Sequence, residues 1–169
     1  MKEENKIILS MLVKNESGVL TRISGLFARR GYNIDSLSVG ETDNPQISRM
    51  TVMATGDDYI KEQILRQLEK LHDVVIVEAL DHSHIVTREL LLIKVNVAQG
   101  ARSELLEAVS IFRAKVVDLT PTSLTVEITG ERSKCEAFIE YLRPFGIAEL
   151  CRTGITAISR GSGILTPNE

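Results

Sequence analysis

Tryptophan is absent from the 169-residue chain, aromatic residues make up only 4% of it, and there are two cysteines and four prolines. Cys135 and Cys151 are too few and too far apart for a disulfide framework, so the expectation is a pair of reduced, buried thiols in a cytoplasmic protein. Long apolar runs are missing as well. The longest, Val74–Val77 and Leu90–Ile93, are four residues, against the ~18 required to cross a bilayer. The opening Lys2-Glu3-Glu4, an apolar stretch broken at Ser10 and followed by Lys14, and the lack of a small-residue cleavage site do not match a secretory leader. There is no basic cluster denser than Arg29-Arg30. With 20 Lys+Arg against 23 Asp+Glu and a net charge of −3, the chain lacks the footprint needed for nucleic acid or an anionic membrane.

Catalytic signatures are equally scarce. No G-x-S-x-G elbow, no G-x-x-x-x-G-K-[ST] phosphate loop and no G-x-G-x-x-G opening a helix occurs, and Gly161-Ser162-Gly163 sits in a tail that reads as a loose end. His72, His82 and His84 lie near turns, without cysteine or acidic residues at metal-ligand spacing, so no metal site is expected. Asp57 and Asp58 follow Gly56 at the head of a helical stretch, where N-capping and dipole compensation explain them. The residues give no catalytic constellation.

What is present is a globular composition, 43% hydrophobic and 25% charged, sufficient for one domain or two small ones. Along residues 6–13, Ile7, Leu9, Met11 and Val13 alternate with Ile8 and Leu12, which predicts a strand apolar on both faces. Val19, Leu20, Ile23, Leu26 and Phe27 recur at helical spacing, with Arg29, Arg30 and Gly31 supplying a helix C-terminus. Extended segments follow at 33–42 and 47–55 about an Asp43-Asn44-Pro45-Gln46 reversal, then a helix at 59–71 and a strand at 74–80. After the polar Asp81-His82-Ser83-His84, the same order recurs: strand 89–97, helix 102–112, strands 115–119 and 124–129, helix 133–143, and a last strand over about 147–158. The fold class expected is α+β: two tandem ferredoxin-like βαββαβ domains, residues 1–80 and 88–169, joined by a linker at 81–87. Such a unit carries both helices on one sheet face. The two-sided apolarity of residues 7–13 therefore predicts a cover on the other, supplied by the second domain, a second copy or a different protein.

One turn holds more information than the rest. Asn15-Glu16-Ser17-Gly18 leads into the first helix, where Ser17 or Asn15 is placed to cap backbone N–H groups. Gly18 lets a ligand approach those donors closely, and the positive helix end attracts a carboxylate. Asn15, and Asn33 at the head of the second strand, each offer a carbonyl and an amide for an ammonium and a carboxylate. A free amino acid suits such a site, with a partner subunit walling its apolar side chain.

The stretches Asn15-Glu16-Ser17-Gly18-Val19-Leu20, Arg30-Gly31-Tyr32-Asn33-Ile34-Asp35-Ser36-Leu37 and Ser48-Arg49-Met50-Thr51 resemble the small regulatory subunits of acetolactate synthase, also called acetohydroxyacid synthase. Beyond residue 88, Ile111-Phe112-Arg113-Ala114 and Asp118-Leu119-Thr120-Pro121 are the best matches. The resemblance implies an N-terminal ACT domain, a second ferredoxin-like domain, and a homodimer that binds valine at the ACT–ACT interface. Feedback inhibition would pass from there to a separate catalytic subunit, which the small subunit also activates. The implied effector contacts are Asn15 and Gly18 of one chain and Asn33 of the other, with Ser17, Leu20 and Ile34 as further candidates. Ser17 stands where relatives often have proline. Thiamine diphosphate, Mg2+ and FAD are implied for the catalytic partner, and this chain carries no motif for them.

Two other classes compete. A stand-alone amino-acid sensor, regulating a different enzyme or transcription, would keep the turn, but the chain shows no helix-turn-helix or basic patch. A small enzyme of ferredoxin-like fold would need an acid–base or nucleophile grouping that the sequence lacks.

Overall fold

A computed structural model describes residues 5–98 and 100–166. It contains β1 (Lys6–Lys14), α1 (Val19–Arg30), β2 (Ile34–Glu41), β3 (Ile47–Thr55), α2 (Asp58–Leu68) and β4 (Val74–Ala79). A 3₁₀ turn at His82–His84 precedes β5 (Ile85–Asn96), α3 (Arg102–Ile111), β6 (Lys115–Leu119), β7 (Ser123–Gly130) and α4 (Arg132–Leu142). Another at Arg143–Phe145 precedes β8 (Ile147–Arg152) and β9 (Thr156–Ser159). The order βαββαβ thus occurs twice, on two antiparallel sheets of strand order β2-β3-β1-β4 and β6-β7-β5-β8, with β9 paired to β5 as a fifth strand of the second. The ferredoxin-like α+β plan expected from the sequence is present in both halves.

In the first half the alternation along β1 does what the pattern requires. Ile7, Leu9, Met11 and Val13 pair across to Ala54, Val52, Met50 and Ser48. Except for Ser48 these residues join Val19, Ile23, Leu26 and Phe27 of α1 and Ile64 and Leu68 of α2 in one buried core. Full burial of one such side chain contributes about 1.5–3 kcal/mol. α1 ends at Gly31, whose φ of 70° closes the helix in the left-handed region. α2 begins as expected, with Asp57 Oδ1 accepting the Ile60 N–H at 2.8 Å.

The opposite face of that sheet is where the sequence reading needs correction. Ile8 and Met53 are buried there with Leu80, Ile155 and Ala157, and Ile85 packs against them. The cover is therefore the chain's own terminal segment, which the sequence pattern places in the second half or in a loose tail. Residues 155–166 belong to the same compact unit as residues 5–86, and Thr87–Gly154 form the other. The expected single strand over 147–158 is interrupted at Gly154, which takes a φ of 76°, and the chain resumes as β9, which pairs with β5. Ser38 Oγ then donates to Ile155 O at 2.9 Å, the Arg160 N–H donates to His84 O at 2.8 Å, and Leu165 is buried.

The second unit packs Leu91, Ile93 and Val95 of β5 and Leu124, Val126 and Ile128 of β7 against Leu105, Val109, Phe138 and Leu142. Glu89 is buried with Arg152 as its partner at 2.6 Å, and Arg152 also donates to Glu136 at 2.8 Å. Burial, reinforced by the nearby Glu89 charge, pushes the Cys135 thiol up to about 11. Cys135 is buried as expected, but Cys151 is exposed. It lies opposite Leu92 in the register, on the face turned away from the Leu91–Ile93 core.

Candidate functional site

The turn after β1 is held by the hairpin end of its neighbours. The Asn15 N–H donates to Gln46 O at 2.8 Å, and Asn15 Nδ2 donates to Glu41 Oε1 at 3.0 Å and Pro45 O at 2.9 Å. The N-cap of α1 is Gly18 itself, at φ 87° and ψ −9°, with no side-chain hydrogen bond to the helix. The expected capping by Ser17 or Asn15 does not occur. Asn15 is turned toward β2 and Pro45, and the cap position carries no side chain. Consequently the N–H groups of Leu20 and Thr21 find no acceptor among the described residues. Free donors at the positive end of a helix, beside a glycine, are where a carboxylate is accommodated.

An ion pair between the buried Asp73 carboxylate and the half-exposed Arg22 braces this turn, and sequence reasoning missed it. Asp73 is 5% exposed and accepts from Arg22 Nε, one turn into α1. His72 Nδ1 lies 3.3 Å from its other oxygen, the Lys14 N–H donates to Asp73 O at 2.9 Å, and Lys14 Nζ is 3.1 Å from His72 Nε2. The hydrogen bond from Arg22 outweighs desolvation and holds the Asp73 carboxyl below the usual carboxylate range. Arg22 also closes over the turn, since a Cβ at Gly18 would meet Arg22 Nη1 at 2.9 Å. The only sequence trace of this cluster is an aspartate at the foot of a strand.

Asn33 and Ile34 are elsewhere. Asn33 Nδ2 donates to Asp35 Oδ1 at 2.7 Å, while Asp35 Oδ2 accepts from Thr55 Oγ1 at 2.8 Å and Lys6 Nζ at 3.2 Å. Lys6 opens β1 and Thr55 closes β3, so Asn33 stands at one end of the sheet and Asn15, bonded to Glu41 at the end of β2, at the other. Burial alone would raise the Asp35 carboxyl, but hydrogen bonds from Thr55, Lys6 and Asn33 keep it low. Asn15, Ser17, Gly18 and Leu20 therefore form one group and Asn33 and Ile34 another. Leu20 is 44% exposed beside the turn, and Ile34 packs against the core. β2 is an edge strand, and an edge is where a second chain is able to bring the missing half.

Among the described residues no group of three or more His, Cys, Asp or Glu is arranged to hold a metal ion, and no helix is long and apolar enough to cross a membrane. The family model described as the AHAS small subunit-like ACT domain matches residues 9–76, and the model described as the small subunit of acetolactate synthase matches residues 88–161. The chain belongs to the acetolactate synthase small-subunit family. It is 50% identical over 161 residues to a probable acetolactate synthase small subunit of Methanothermobacter thermautotrophicus, covering 95% of this chain and 96% of that one. It is 45% identical over 159 residues to the isozyme 3 small subunit of Salmonella typhimurium, covering 94% and 98%. The crystal structure of the Thermotoga maritima small subunit superposes with a TM-score of 0.88 at 43% identity, covering 94% of this chain and 99% of that one. That likeness extends over both units.

Proposed function

We propose that the chain is the non-catalytic regulatory subunit of a cytoplasmic acetolactate synthase, activating the catalytic subunit and conferring feedback inhibition by valine. Thiamine diphosphate, Mg2+ and FAD are assigned to that partner, because this chain offers carboxylate-binding backbone donors rather than acid–base or metal-ligating groups. The observation that carries the reading is the split of the effector residues between the two ends of the first sheet. Antiparallel pairing of two β2 edges about a two-fold axis sets Asn33 of a second copy beside Glu41 of the first, where Asn15 is anchored. In the homodimer so formed, the free Leu20 and Thr21 N–H groups take the valine carboxylate. The Asn15 and Asn33 carbonyl oxygens take its ammonium, and Leu20 with Ile34 of the second copy lines the isopropyl group.

Reconstitution tests this. Purified chain with pyruvate and thiamine diphosphate should form no acetolactate. Added to its catalytic subunit, the chain should raise synthase activity, and valine should then lower it. Product formation by the chain alone, or a catalytic subunit indifferent to it, would overturn the proposal.

A further inference from the structure

The outer face of the first sheet contains a cation without a counter-ion. Arg49 of β3 pairs across to Leu12 and Gly40 and projects to the side covered by β9. Its Nη2 donates to Ser10 Oγ at 2.9 Å and to Ala157 O at 3.4 Å. Its Nε is buried and makes no hydrogen bond, and no carboxylate among the described residues forms an ion pair with it. A partly buried guanidinium whose Nε finds no acceptor is costly, and a carboxylate is the group that best relieves it.

Space exists for that group. A cavity of about 810 Å³ runs alongside β9, lined by Arg49 together with Leu12, Ile47, Val75, Ile158 and Leu165. A smaller one of about 260 Å³, on Ser38, Thr51 and Thr156, meets the same guanidinium. An apolar-walled cavity with a few convergent polar groups is the usual form of a small-ligand site. Asp43, on the β2–β3 loop, lines the larger cavity too, and its charge repels a dianion such as phosphate more strongly than a monocarboxylate.

We infer that the cavity beneath the terminal segment is a second ligand site, which takes a small aliphatic monocarboxylate on Arg49. It uses no residue of the Gly18 turn and needs no second chain, so it stands or falls independently of the valine proposal.

The test is a titration of the full chain with isovalerate, which lacks the ammonium that the Asn15 and Asn33 oxygens would hold. Binding is followed by NMR through the Arg49 Nε–H resonance and backbone amides. Saturable shifts of Arg49, Ile158 and Leu165 are expected. Arg49→Gln should weaken binding at least about tenfold, equivalent to ~1.4 kcal/mol. Ile158→Asp, at a half-exposed position, should do the same with Arg49 intact, so a folding defect in the first variant leaves the inference testable. No saturable shift, shifts confined to residues 15–20, or unchanged affinity in Ile158→Asp would overturn it.

Discussion

Both units place a left-handed glycine at the start of their first helix, Gly18 as the N-cap of α1 and Gly100 one residue before the Ala101 N-cap of α3, yet the surroundings of the two differ. Gly18 and Gly100 have φ values of 87° and 88°, and neither α1 nor α3 has a side-chain N-cap. Around Gly18 stand Asn15, the Arg22–Asp73 pair and His72. Around Gly100 the neighbouring described positions are Val97, Ala98 and Ala101, and Arg102 donates to the carbonyls of Thr120 and Pro121. The fold was used twice, but the polar anchoring was not, and that difference is why the proposed effector site is placed in the first unit. Sheet faces differ in the same sense. The first sheet buries Ile8 and Met53 under the terminal segment, whereas the second exposes Leu92 and Cys151.

The largest effect should come from removing the cover. A chain ending at Gly154 exposes Ile8, Met53 and Leu80, and the expected outcome is aggregation with dye-binding apolar surface. A monodisperse, cooperatively melting product on gel filtration and calorimetry would show the cover to be dispensable.

Next is the buried pair of the second unit. Arg152→Met strands the Glu89 carboxylate in the core and should lower unfolding free energy by about 3 kcal/mol, measured by urea titration. Asp58→Asn, which removes the exposed Asp58–Lys61 pair, should leave the midpoint unchanged.

A smaller effect separates the units by pH. Asp73 titrates below the ~3.9 of an unfolded aspartate, so it stabilises the first unit above about pH 4. That contribution is lost as pH falls through its lower folded value. Asp73→Asn should flatten the acid limb of stability without changing its slope above pH 6, monitored by amide exchange in α1.

Much of this was legible from residues alone. The alternation of Ile7 to Val13 fixed the strand and also announced a covered second face. Asp57 and Gly31 marked helix ends by side chain and by its absence. The identity of the cover was not legible, because Thr156–Ser159 continues the pattern of β8, and only the left-handed turn at Gly154 reroutes the chain. Asp73 and Arg22 are 51 positions apart, and one sequence carries no trace of so distant a pairing. Gly18 was visible as a glycine at a helix start, but its positive φ belongs to the folded turn.

That conformation supplies the most direct test of the central claim, that the effector site lies in the first unit only. Gly18→Asp and Gly100→Asp each force a side chain into the left-handed region, at a cost of about 1 kcal/mol, and Gly18→Asp must also displace Arg22 Nη1, which a Cβ there meets at 2.9 Å while one at Gly100 meets nothing within 4 Å, so Gly18→Asp should lose at least as much stability. Synthase activity of the reconstituted complex is then measured against valine concentration. Gly18→Asp should still activate the catalytic subunit but shift the inhibition midpoint at least about tenfold, through steric and like-charge conflict with the valine carboxylate, while Gly100→Asp keeps the wild-type midpoint. A Gly18→Asp complex inhibited at the wild-type midpoint, or a Gly100→Asp complex that escapes inhibition, would contradict the account.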